Sequence, residues 1–149
     1  MAYAFPAGNV VWNPRDVCAL LCTKMPMTDH RVVTGCAVVL AESGGDPLAT
    51  GRAVWSPGAP THLSVDLGLF QLNSYYATVT GHFPDTPPIS VAQCFDPIAA
   101  WEYAWKLINK NRPDSWHFNW SSWTVFKAGA YDAWLDEAMA GLAAYKAVA

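Results

Sequence analysis

The chain has 149 residues, 52% of them hydrophobic and 14% charged, a balance that excludes a disordered chain and suits one domain with a substantial core. Its formal net charge is −3 and it carries no basic stripe, so nucleic acid is not an expected partner. No apolar run reaches the length of a membrane span, and membrane insertion is not expected either.

The opening stretch MAYAFPAGNVVWNP lacks a basic start and a sustained apolar core, so it does not read as a secretory signal. NPRDVCALLCTKM predicts a first helix, with Asn13 as cap, Pro14 in the first turn, and Val17, Leu20 and Leu21 on one face. TDHRVVTGCAVVLAE predicts a second helix capped at Thr28, aligning Val32, Cys36, Val39 and Leu40. Its β-branched content keeps a buried strand in competition, but the length of the segment and the Gly44-Gly45 stop favour a helix.

Between Thr50 and Asn73 the pattern changes. GRAVW and THLSVDLG flank SPGAP, which predicts a small irregular β-hairpin or loop. HFPDTPPISVAQC, residues 82–94, reads as a Pro-rich loop. DPIAAWEYAWKLINKN predicts a third helix, capped by Asp96 with Pro97 first, and Ile98, Trp101, Trp105 and Ile108 on one side. RPDSWHFNWSSW is a Trp-rich connection. A last helix then runs from Tyr131 to Val148 along Trp134, Leu135, Ala138, Leu142 and Tyr145. No repeat or low-complexity linker interrupts this order. The expected fold is mostly α (α+β), a helical domain with one small β-hairpin or loop inserted after the second helix.

Eight tryptophans are expected mainly in the core, with a few available to stack on the apolar faces of sugars along a groove. Cys18, Cys22, Cys36 and Cys94 show no CxxC or Cys/His ligand spacing, so no metal site is expected and buried free thiols are the favoured reading.

Two carboxylates carry chemistry. Glu42 is one of only three glutamates and follows VVLA on the apolar side of the second predicted helix. Apolar neighbours strip its hydration and should raise its pKa, making a proton donor usable near neutral pH. Taken alone, a glutamate that simply reaches water at a helix end is the stronger reading. Asp66 stands at the end of the predicted hairpin, two residues before Gly68. It could face Glu42 across a groove, or merely serve a turn. A desolvated and a polar carboxylate together form the pair used to cleave glycosidic bonds.

AESGGDP followed by DLGLFQLNS resembles the lysozyme-like superfamily, which includes c-type and goose-type lysozymes and the lytic transglycosylases. In that superfamily a Glu-Ser pair ends a helix, and a G-[LI]-x-Q-[IVL] segment follows a β-like excursion; here these are Glu42-Ser43 and Gly68 to Leu72. The second segment is close to the c-type pattern, with Asp66 before the glycine and Gln71, Asn73 and Ser74 after it. ESGGDPLA is most similar to the transglycosylase version of the first motif. CFDPIAAWEYAWKLI and WSSWTVFKAGAYDAWL resemble the later helices of transglycosylase-like domains, so the resemblance covers about residues 30–135. Asn73 replaces the aspartate of goose-type enzymes, and the cysteines do not follow the disulfide framework of secreted c-type enzymes.

The resemblance implies a single lysozyme-like domain over residues 1–149. Its expected activity is cleavage of peptidoglycan glycan strands at the MurNAc-β-1,4-GlcNAc bond, as a muramidase without a cofactor. Glu42 would be the general acid and Asp66 the nucleophile or charge stabiliser. Ser43, Gln71, Asn73, Tyr75 and Tyr131 would contact substrate or support the glutamate. A lytic transglycosylase giving 1,6-anhydro products is the alternative, and a non-catalytic wall-binding or phage tail module a further one. Without an export signal, the expected setting is a bacteriophage, as an endolysin or a virion component beside other tail or baseplate proteins.

Overall fold

A computed structural model of the chain describes residues 2–51, 53–56, 59–81, 86–110, 120, 123 and 128–149. Asn13 starts helix α1 (Pro14–Leu21) through a reciprocal cap: its side-chain oxygen accepts the Asp16 N–H at 2.9 Å, and the Asp16 carboxylate accepts the Asn13 N–H at 3.3 Å. Val17, Leu20 and Leu21 are all buried, as the spacing predicts. The helix stops before the predicted Met25 end, where Thr23 Oγ1 donates to the Leu20 carbonyl at 2.7 Å.

Helix α2 (Arg31–Ser43) settles the helix–strand competition. Val32 and every residue from Thr34 to Leu40 are buried, so the segment is enclosed on nearly all sides and its branched side chains are core filling. Thr28 is not its cap. The cap position is His30, whose side chain makes no capping bond, and Asp29 just before it accepts the Arg31 N–H at 2.9 Å while its carboxylate also holds the Arg31 guanidinium at 2.7 Å. A charged acceptor with two donors outcompetes a threonine hydroxyl. Gly44 ends the helix in the left-handed region, φ +63°, with its N–H on Leu40 O at 2.8 Å.

The predicted hairpin is two antiparallel pairs in succession. Strand β1 (Val54–Ser56) pairs with β2 (Ala59–Ser64), with a register irregularity between Trp55 and Ser56. Strand β3 (Asp66–Leu67) pairs with β4 (Leu72–Asn73), matching Asp66 with Asn73 and Leu67 with Leu72. Residues 57–58 of the predicted turn lie outside the described residues. A π-helical turn, Tyr76–Thr80, follows β4.

The Pro-rich reading of 82–94 needs correction at its end, residues 82–85 being outside the described set. Ser90 and Gln93 form a reciprocal cap (2.8 and 3.1 Å) that starts a short helix, α3 (Val91–Phe95). Helix α4 (Pro97–Lys110) follows, its first N–H groups, those of Ile98 and Ala99, donating to Asp96 Oδ1 at 3.0 and 3.4 Å. Of the predicted apolar face, Trp101 and Ile108 are buried and Trp105 is half-buried against the core, and only Ile98 falls outside it. Ile98 is 46% exposed in the capped first turn, while Ala100, Trp101, Tyr103, Ala104, Leu107 and Ile108 are buried.

The last helix begins later than Tyr131. A 3-10 turn, Ala130–Trp134, precedes α5 (Leu135–Val148), whose buried residues are Ala138, Gly141 and Leu142. Gly141 lies directly on Pro14, which brings α5 close to α1. Among the described residues no helix is long and apolar enough to cross a membrane.

Tryptophans build the centre. Trp12, Trp101, Trp120 and Trp123 are buried, and Trp105 and Trp134 are half-buried. Phe70, Trp101 and Trp120 stack at centroid distances of 5.4 and 6.4 Å. The Trp120 ring fits over Gly35 of α2, where an added Cβ would collide with it. Trp116 and most of the Trp-rich connection lie outside the described residues. All four cysteines are free, three of them buried and Cys22 half-buried.

Candidate functional site

Glu42 is the last residue but one of α2 and is half-buried, while Val38 and Val39, one turn back on the same side, are fully buried. Its carboxyl group therefore stands at the margin of the core. The helix exit just beyond it is closely tied. Ser43 Oγ donates to the Val39 carbonyl at 3.0 Å and accepts the Gly45 N–H at 3.3 Å. The Asp46 N–H donates to Ser43 O at 3.1 Å, and the Trp12 N–H to Gly45 O at 2.8 Å. Gly45 has φ +83°, and a Cβ there would run into the Trp12 carbonyl. What approaches this glycine is the chain's own N-terminal segment, a contact for which the sequence carries no signal.

From that exit the chain passes straight to the second sheet. The Gly68 N–H donates to Ala49 O at 2.8 Å, Thr50 bridges Leu67, and the Gly51 N–H donates to Asp66 O at 2.8 Å. Gly68, φ +77°, packs so closely on the Cys94 carbonyl that a Cβ would overlap it. Gln71 closes the turn between β3 and β4 with φ +48°, a left-handed conformation that costs a side-chain-bearing residue about 1–3 kcal/mol. Its Nε2 offsets that strain by donating to Ala49 O at 3.0 Å and Gly68 O at 2.9 Å. Gln71 thus fastens the segment from α2 to the turn beside Asp66.

Asp66 is half-buried, and Asn73 stands opposite it. Asn73 Nδ2 donates to Ser64 Oγ at 2.9 Å and Asp66 Oδ1 at 3.4 Å, and its Oδ1 accepts the N–H groups of Tyr75 and Tyr76 at 3.1 and 3.3 Å. Burial pushes the Asp66 carboxyl above its usual value, and the Asn73 amide partly opposes this by favouring the ionised form. Buried Ser64 is a member of this network that the sequence reading did not single out.

Asp66, Gln71 and Asn73 are therefore gathered around one small sheet, with Tyr75 two residues beyond β4. The side chains of Ser43, Gln71 and Asn73 are engaged with the fold itself. Tyr131 is half-buried in the 3-10 turn, and that turn packs against α2, the helix that carries Glu42. Among the described residues no group of three or more His, Cys, Asp or Glu side chains could hold a metal ion.

The sequence pattern of the family described as "Lysozyme like domain" matches residues 19–125. The chain belongs to this lysozyme-like domain family. A lysozyme from Litopenaeus vannamei has the same fold: its crystal structure matches with a TM-score of 0.61 over 89% of this chain and 97% of that chain, at 18% identity. No protein with a curated description matches the sequence. The matched stretch of the lysozyme-like domain begins within α1 and contains both Glu42 and Asp66. The N-terminal segment through Trp12 and helix α5 flank it. Membership points to cleavage of peptidoglycan glycan strands as the class of activity.

Proposed function

We propose that this lysozyme-like domain is a single glycan-cleaving unit that breaks the β-1,4 bond between N-acetylmuramic acid and N-acetylglucosamine in peptidoglycan. The observation that carries the reading is the short, hydrogen-bonded path from Glu42 at the end of α2 to Asp66 in β3, through residues 44–51. Glu42, at the edge of an apolar helix face, gives its proton to the leaving oxygen. Asp66 stabilises the oxocarbenium-like centre or bonds to it, and water completes a hydrolysis with net retention. Asn73 orients Asp66, and Gln71 and Ser43 hold the two carboxylate-bearing segments. Tyr75 and Tyr131 line or support the groove.

One observation favours a second outcome. The Asp66 carboxylate already accepts a bond from the Asn73 amide at 3.4 Å, so part of its charge is engaged within the fold. If Asp66 contributes little, Glu42 acts next as base, taking the proton from the sugar's own 6-hydroxyl as that oxygen attacks. The product is then a 1,6-anhydro sugar, as in lytic transglycosylases.

Digestion of purified peptidoglycan followed by mass spectrometry of the muropeptides separates these outcomes. Reducing ends mean hydrolysis; products lighter by one water mean transglycosylation. If the wild type releases nothing and Glu42→Gln binds glycan as the wild type does, the domain is a sugar-binding module and not an enzyme.

A further inference from the structure

The last turn of a helix is where backbone hydrogen bonds run out and fraying begins. A proton donor placed there must nonetheless be held to within about 0.5 Å of its working position. Glu42 is in that last turn. The local bonds from Ser43 and Gly44 fold back onto α2 itself and cannot fix the helix end relative to the rest of the molecule. The bond from the Trp12 N–H to Gly45 O, at 2.8 Å, comes from outside.

Trp12 is itself firmly held. Its side chain is buried and stacks on Phe5, centroids 5.5 Å apart and planes 15° from parallel. Phe5 meets Tyr3 edge-on at 5.1 Å, and Tyr3 meets Tyr145 of α5 at 5.5 Å. The Tyr3 hydroxyl donates to the Asp16 carboxylate and accepts from Arg15 Nε at 3.1 Å. The N-terminal segment is thus a strap, fastened to α1 and α5 at one end and to the α2 exit at the other. It lies outside the residues that the family pattern matches.

We propose that Trp12 is a positioning residue for Glu42, acting through Gly45, and that the strap fixes the direction of the catalytic carboxyl. This rests on the glycan-cleaving reading above. The two glycines of the α2 exit provide a matched pair of variants. Gly44 (φ +63°) and Gly45 (φ +83°) are both left-handed, so alanine strains the backbone at either. An added Cβ at Gly44 meets nothing within 4 Å, whereas at Gly45 it collides with the Trp12 carbonyl.

The test measures the melting temperature of the full chain and its kcat and KM on a soluble peptidoglycan oligomer. Gly45→Ala should lower kcat at least about tenfold, since misplacement on the ångström scale costs up to about a hundredfold, while KM changes little. Gly44→Ala should keep most of kcat. Trp12→Pro, which removes the donor N–H, should follow Gly45→Ala. The milder Phe5→Leu, remote from the sheet, should give a smaller change of the same kind if the first two fold poorly.

Equal losses in Gly44→Ala and Gly45→Ala, or a lowered melting temperature with kcat and KM intact, overturn the strap assignment. Glu42→Gln in the same assay tests the underlying reading separately. If it cleaves as the wild type does, that reading fails. If it is inactive while Gly45→Ala behaves like Gly44→Ala, only the strap fails.

Discussion

Asp66 and Asn73 are directly opposed across β3 and β4, and the Asn73 amide donates to Asp66 Oδ1 at 3.4 Å. That long bond only partly offsets the loss of water around the carboxylate, so burial leaves Asp66 above its usual value of 3.8.

The first prediction follows from that imbalance. A carboxyl whose folded pKa is raised gives the fold stability that is present below the unfolded value and lost as pH rises through the folded one. At neutral pH the ionised Asp66 therefore works against folding. Asp66→Asn should melt above the wild type at pH 7, and the gap should close below about pH 4. Calorimetry across that range checks it, and a gap that widens toward acid would reverse the sign of the argument. If Asp66 serves hydrolysis, the same variant loses hydrolytic products, a stability gain at the expense of activity.

Gly68→Ala should be severe. The position combines φ +77° with a direct approach to the Cys94 carbonyl, so a methyl group there both strains the backbone and separates β3 from α3. A loss of about 2–4 kcal/mol is expected by urea unfolding.

Two buried tryptophans should respond differently to phenylalanine. Trp123 Nε1 donates to Phe70 O at 2.7 Å, whereas Trp120 Nε1 is buried with no acceptor among the described residues. Trp123→Phe strands a buried carbonyl and should cost about 1–3 kcal/mol in polar terms, beyond the lost ring volume. Trp120→Phe loses ring volume but relieves an unsatisfied donor, and should cost less. Parallel denaturation curves rank the two.

Thiol chemistry gives a fourth. Burial pushes the Cys22 and Cys94 thiols up to about 11, from an ordinary value of 9.0, and the thiolate is the reacting form. At pH 8 their thiolate fraction is then about 100-fold below that of an ordinary cysteine. Native protein should label slowly with iodoacetamide, half-buried Cys22 included, and all four cysteines should react once urea is added.

Where the chain's local chemistry is self-contained, the sequence was legible. The Asn13 and Asp96 caps, the α2 stop at Gly44 and the free cysteines all follow from residue type and short spacing. Thr28 misled because Asp29, next in line, binds a backbone donor and a guanidinium together, and propensity alone does not weigh that competition. Ile98 fitted the helical period of α4 but fell in a capped surface turn. The Ser90–Gln93 capping box was readable and was obscured by the prolines before it. At the site, the motif brought Glu42 and Asp66 forward, but not the work of Gln71, whose amide bonds to the Ala49 carbonyl 22 positions away, nor that of Asn73, whose amide donates to the side chains of Ser64 and Asp66. The Trp12–Gly45 bond spans an even longer stretch, and no periodicity encodes it.

Tyr3 against Tyr145, and Gly141 on Pro14, also govern how this fold assembles. The first helix finds its main partner in the last one, so the pairing is as non-local as the topology allows, and loop-closure entropy delays it. Helix α2 can meet α1 early, but its packing on the Ala130–Trp134 turn and α5 waits for the same C-terminal segment, and the aromatic strap cannot close until α5 arrives. Folding should end with that closure. A circular permutant that joins the two tyrosine-bearing segments through a short linker would make the contact local and should fold faster.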